Sequence, residues 1–314
     1  MARPEWEDIH LLARNSDWAA EDIRDALAAY VYPTRPDWRQ LAAYLLLGAG
    51  ACFLVSGLIF FFAYNWEALS GFAKIGIALG AFALATLTAL FAPLPRLATL
   101  TLHTASVCLI GAVLAVLGQV YQTGANAFDF FAAWLVFSLF WLAAVRFAPL
   151  WLAGLAIANA TFITYYQQYG IAYSFLVAGT LLFALNAGGW LLLWLAFRRR
   201  ESFRWLLQLA AFWAVILATV NISAGAFDDR PDQLLLTVLL AILAYAGWGW
   251  LALRERSIYY LALVGGGVLI TVAFLLLRWL GSENSLLSAG FIILLGISGL
   301  VYYLNRLNHR WHAP

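Results

Sequence analysis

The sequence predicts an all-α fold, a polytopic transmembrane bundle of about ten helices behind a short N-terminal cytoplasmic helical hairpin. Three observations carry that reading. Residues of the AVILMFWYC set make up 64% of the 314 positions and charged residues only 11%, against roughly 45–50% and 25% in soluble domains. A water-soluble globule so poor in charge would expose apolar patches far larger than monomers tolerate. Apolar runs long enough to cross ~30 Å of hydrocarbon as helix recur along the whole chain. Finally, the basic residues segregate to alternate ends of those runs.

Residues 1–40 form the one sizeable polar segment, read as a cytoplasmic head. A helix around Trp6 to Ala13 precedes Asn15-Ser16-Asp17, an N-cap signal with Glu21 and Asp22 in the turn that follows. Trp18, Ile23, Leu27 and Tyr30 approximate one apolar face of a second helix ending before Pro33. The pair is too small to hold a core of its own. It is expected to cap the membrane domain or to offer a docking surface.

The membrane domain follows over 41–305, with spans near 41–63, 72–92, 97–118, 128–145, 150–167, 171–197, 203–221, 234–253, 258–278 and 286–304. Pro93 and Pro95 end the second run, Pro149 separates the fourth from the fifth, and Pro231 sits in the longest loop. Asn159 interrupts the fifth run, which leaves eight or nine spans as the alternative count. Residues 306–314 complete the chain as a cytoplasmic tail.

Orientation follows from arithmetic. With ten spans, fifteen arginines fall at one set of loops and span ends, among them Arg198-Arg199-Arg200, Arg254 and Arg256, while only Lys74, Arg230 and Arg278 fall at the other. The cytoplasmic side retains basic residues during insertion, so 15 against 3 predicts an even number of spans and both termini in the cytoplasm. Trp38, Trp66, Trp151, Trp205, Trp250, Trp279 and Trp311 all lie near boundaries, where an indole buries its ring and donates its N–H at the headgroups.

Most connections are ordinary; two on the arginine-poor side are not. The first span ends in Phe60-Phe61-Phe62-Ala63-Tyr64-Asn65-Trp66-Glu67, and the third in Gly118-Gln119-Val120-Tyr121-Gln122-Thr123-Gly124, followed by Phe128-Asp129. Topology places both at one face together with Lys74, the single lysine of the chain. Polar groups near a membrane boundary need partners because lipid offers none. Asn65, Trp66, Glu67, Lys74, Gln119, Tyr121, Gln122 and Asp129 are therefore the candidate binding patch for a ligand or partner. The alternative is that they cap helices, anchor at headgroups and bond between helices.

Those same stretches, Phe62-Ala63-Tyr64-Asn65-Trp66, Lys74 and Gly118 to Gly124 before Phe128-Asp129, resemble the bacterial DUF2157 family of membrane proteins, over about residues 5–150. The short helical head is similar to that family's N-terminal portion. The resemblance implies a bacterial inner-membrane setting and, since relatives occur beside other membrane domains, a complex. It implies no chemistry.

Several chemistries find little footing. Eighteen basic and sixteen acidic residues form no basic stripe, so no nucleic-acid partner is expected. No Walker or dinucleotide loop is present. His10, His103, His309 and His312 are scattered over two termini and one span, so neither metal nor cofactor is expected. Cys52 and Cys108 sit in apolar runs as small hydrophobes. Asp129 is the acid nearest a span interior, which argues against a proton-coupled pump.

The favoured expectation is a non-enzymatic subunit or scaffold, surrounded by membrane lipid, whose extracytoplasmic patch binds another membrane protein or a small ligand. A transporter of a small neutral or lipid-like solute is the alternative, with Gly265-Gly266-Gly267 and Asn186-Ala187-Gly188-Gly189 as unwound elements. More distant is an intramembrane hydrolase: Gly296-Ile297-Ser298-Gly299 is similar to the Gly-x-Ser-Gly of rhomboid-type proteases, with His103 as the base.

Overall fold

The computed structural model describes residues 6–170, 174–227, 231–280 and 285–312. Arg3 and Arg230 of the charge count lie outside the described residues, as do 171–173, where the sixth apolar run begins. The described chain is helical throughout, without a strand. Ten of its helices are long and apolar enough to cross a membrane.

The head holds α1 (Trp6–Arg14) and α2 (Ala20–Ala26), which continues into a π-helical turn at Leu27–Val31. Here local detail departs from the sequence pattern. The N-cap of the second helix is Ala19, and Asp22 accepts from the Ala19 backbone N–H at 2.8 Å. The polar triplet instead closes the first helix, with Ser16 Oγ donating to the Leu12 carbonyl at 2.8 Å. The N3 carboxylate accepts from the N-cap backbone N–H whatever side chain the N-cap residue carries, so this half of a capping box forms at Ala19 without a polar side chain there. The apolar face is also incomplete. Leu27 is buried, but Trp18 and Tyr30 are exposed. In the π turn the Tyr32 N–H bonds to the Leu27 carbonyl five residues back, and that wider turn carries Tyr30 off the face of Leu27.

The membrane helices are α3 (Arg35–Asn65), α4 (Gly71–Phe91), α5 (Arg96–Tyr121), α6 (Ala127–Ala144), α7 (Ala148–Tyr169), α8 (Phe175–Phe197), α9 (Arg204–Gly225), α10 (Pro231–Glu255), α11 (Ile258–Leu280) and α12 (Ser285–His312). The first begins earlier than its apolar run. The Asp37 carboxylate accepts from the Thr34 N–H at 2.9 Å and from the Thr34 hydroxyl at 2.8 Å, and Pro36 occupies the first turn. At 1.5 Å per residue the 31 residues of α3 extend about 46 Å, so its polar first turns stand outside a ~30 Å hydrocarbon layer. Likewise α12 runs on as helix through Arg306 and Arg310.

Packing divides the bundle. In the N-terminal half, α5 is the support: α3, α4 and α6 each pack on it, and α7 packs on α6. Its clusters are small, one around Phe62, Ala78 and Val116 and another around Val107, Leu142, Leu150 and Ile157. In the C-terminal half α9 is central, contacting α8, α10 and α11, with α12 docked on α11. Ala210, Ala214 and Ala218 recur every four residues along α9 and are all buried, with Ala211 beside them. Small side chains at that spacing let neighbouring backbones approach. Around them lies the main core, which includes Phe183, Phe203, Leu206 and Trp248.

Candidate functional site

The arginine-poor end of α3–α6 is built from four helix termini. α3 stops at Asn65, whose side-chain amide donates to the Phe61 carbonyl at 3.0 Å, while its own carbonyl accepts from the N–H groups of Ala68 and Leu69. Ser70 then caps α4, its hydroxyl accepting from the Ala73 N–H at 3.3 Å. One turn in, the Lys74 ammonium stands 4.0 Å above the Trp66 ring. Trp66 meets Phe62 edge-on at 6.2 Å, and both belong to the cluster around Val116. Gly71 seats this corner against α5, because a Cβ there would lie 3.0 Å from a Val120 methyl. A lysine over an indole contributes roughly 0.5–2 kcal/mol, more as water is excluded. No ion pair joins Lys74 to Glu67 or Asp129 among the described residues.

α5 ends through its backbone. Gln122 adopts the left-handed conformation at φ 46° as C-cap, its N–H bonded to the Gly118 carbonyl, and the Thr123 N–H reaches the same oxygen at 3.2 Å. Gly124 follows at φ 66°, a conformation glycine adopts without steric cost. Asp129 is committed to a cap as well. Its carboxylate accepts from the Asn126 N–H at 3.3 Å, and Asn126 Oδ1 accepts from the Asp129 N–H at 2.9 Å. Asn126 also donates to the Tyr169 hydroxyl of α7 at 3.3 Å, and Phe128 meets Tyr165 and Tyr169 edge-on.

The eight candidates therefore separate into groups. Trp66 and Lys74 are in contact. Asp129 belongs with Asn126 and the α7 tyrosines, and Gln122 and Asn65 serve helix ends. Glu67, Gln119 and Tyr121 are exposed at the same end, and among the described residues the Gln119 amide bonds to no other helix.

A second polar feature lies inside the bundle, where apolar runs alone point only to hydrophobic packing. The Asn221 amide of α9, 2% exposed, faces three acceptors at 3.1 Å, the Leu176 carbonyl and the Thr180 and Thr237 hydroxyls. The two hydroxyls bond to each other at 2.5 Å, so α8, α9 and α10 are tied at one point. Asn221 Oδ1 lies against Gly179, where a Cβ would come within 2.1 Å. On the other side of α8, Asn159 and Asn186 exchange amide hydrogen bonds of 3.0 and 2.7 Å. Each also donates to its own helix, to the Leu155 and Leu182 carbonyls. The only sequence signal for these contacts is an amide or hydroxyl inside an apolar run, and nothing local says which partner it meets.

This pairing bears on the alternative chemistries. α7 and α8 run unbroken through Asn159 and Asn186, and α11 through Gly265-Gly266-Gly267. Leu300 of α12 fills the space beside Gly265, and Val215 of α9 that beside Gly267. Gly296 similarly receives Leu269. The Ser298 hydroxyl donates to the Leu294 carbonyl of its own helix at 2.8 Å. It stands on α12, which packs on α11, whereas His103 is on α5 in the other half. Among the described residues no three potential ligands converge as a metal site, and Cys52 and Cys108 are unbridged.

No curated protein and no solved structure matches the chain. A family model does match, that of DUF2157, described as a predicted membrane protein, over residues 11–151. All eight candidates of the arginine-poor patch fall inside the matched segment, so it is this part of the helical, multi-pass membrane protein that is similar to DUF2157.

Proposed function

We propose that the protein is a non-enzymatic subunit or scaffold of a membrane complex, and that the arginine-poor end of α3–α6 binds its partner or a small ligand. In this reading the chain resides in a bacterial inner membrane with both termini in the cytoplasm and the patch outside. One observation carries it: the single lysine is held over Trp66 at 4.0 Å with no carboxylate of the described chain to neutralise it. An ammonium near a helix end reaches the headgroup region without a protein counter-charge, so this one stays open to a carboxylate or carbonyl of a partner. Tyr64, Phe72 and Tyr121 surround that end with little covering protein. Such aromatic side chains are the ones enriched at the centres of interfaces. Below them α4 presents Gly76 and Gly80 with no atom of another described element within 4 Å of the position a Cβ would take, the spacing along which a second transmembrane helix packs closely.

The test is purification in mild detergent of wild type and of Lys74→Ala, Lys74→Glu and Gln119→Ala, with a photo-crosslinking residue at Tyr121. A membrane protein captured at Tyr121 and lost from Lys74→Glu, at unchanged level of folded protein, supports the proposal. Equal loss of folded protein in all three variants would mean that the patch serves folding alone, and the reading fails. Reporter tags at residues 125 and 198 test the topology and should report opposite compartments.

A further inference from the structure

At the opposite, arginine-rich end, α8, α9 and α10 terminate around two adjoining clefts of about 300 and 310 Å³. Trp194, Arg198, Arg199 and Glu255 line both. Trp250 and Arg254 complete the first, and Arg200, Glu201 and Arg204 border the second. Five guanidinium groups thus face two carboxylates, and among the described residues neither carboxylate forms an ion pair with any of the five.

Topology explains why arginines gather at this end. It does not require them to converge from three helices, nor to be oriented. Yet Arg198 lies 4.7 Å over the Trp194 ring on α8, and Arg254 lies 5.1 Å over the Trp250 ring on α10. Their two helices are locked together one turn deeper, where Trp190 meets the buried Trp248 edge-on at 5.4 Å. The two indole rings thus hold two guanidinium groups at the cleft, and such forks match the oxygens of a phosphate group.

From this geometry we propose that the paired clefts bind the phosphate headgroup of an anionic phospholipid. The occupant is a lipid rather than a soluble anion because the cleft opens where the spans end and its walls are interfacial indoles. From it Leu192 and Leu195 of α8 and Leu253 of α10 continue down the spans uncovered by protein, a surface for acyl chains. Basic pockets between transmembrane helices are suited to such headgroups. This site is independent of the patch at the other end.

The experiment is native mass spectrometry of the full-length protein in detergent with equal amounts of phosphatidylglycerol and phosphatidylcholine. Wild type should retain phosphatidylglycerol preferentially, and R198Q/R254Q should lose that preference by roughly tenfold. The control R96Q/R146Q, at the same end but outside the clefts, should keep it. Should the glutamine pair fail to fold, R198K/R254K preserves charge and removes the fork, and its preference should still fall. Equal retention of the two lipids by wild type overturns the proposal, as does equal loss in the control pair or a lysine pair that matches wild type. Complete displacement by millimolar inorganic phosphate overturns it too, by assigning the arginines to a soluble anion.

Discussion

The most apolar stretches of α4 and α9 have the same mean hydropathy, 1.8, yet 11% of those residues are buried by protein in α4 and 61% in α9. In water such equality would be surprising, because apolar surface drives burial. In a bilayer it is not. Lipid tails are as apolar as leucine, so hydropathy decides entry into the membrane and says nothing about neighbours once there. Side-chain size and polarity decide those. α9 carries the alanine ridge at Ala210, Ala214 and Ala218 and the amide of Asn221, all needing close protein neighbours. α4 also has small residues, Gly76 and Gly80, but among the described residues no other helix covers them. The C-terminal half has met its own packing requirements; the N-terminal half, which matches the DUF2157 model, has left a face open.

That contrast can be broken by substitution. The largest effect is expected at Gly179. Valine there drives into Asn221 Oδ1, and overpacking should lower stability by about 3 kcal/mol, read from reversible unfolding in mixed micelles. Adding Asn221→Ala should recover part of the loss; no recovery would show that the close approach is not the cause. Next come Asn159→Leu and Asn186→Leu, each expected to cost about 1–2 kcal/mol. The double variant should lose less than the two summed, since the partner left unpaired in either single variant is removed. Full additivity would mean that the amides act apart. At Gly80→Leu the same measurement should move by about 0.5 kcal/mol or less, whereas capture of a partner helix should be lost. A large loss of stability there would erase the distinction between the halves. Phe53→Ala, on the uncovered face of α3, should do least, with no resolved change in unfolding.

Much of the fold was legible because its causes are local. Each span is a contiguous run and each break has its proline or polar turn, although α3 begins at Arg35, ahead of the run expected from residue 41. The head was less so. Its second helix is capped by Asp22 from inside, and a π turn rotates Tyr30 away from Leu27. Of the patch, convergence at one end followed from counting spans, and Trp66 with Lys74 meets there. The employment of Asp129 and Gln122 in helix caps is a matter of backbone geometry. Asn159 and Asn186, 27 positions apart, looked like two weak points and are one hydrogen-bonded pair.

Composition and charge order alone determined that this is a multi-pass membrane protein of about ten spans, and which of their ends gather the arginines. These depend on the free energy of moving each segment, one at a time, from water into lipid. Only the tertiary structure decided that α9 sits in the middle, that Asn221 ties three helices, and that five arginines surround two clefts. Those are choices among helices already in the membrane, where water no longer ranks one apolar surface above another and only shape and hydrogen bonding discriminate.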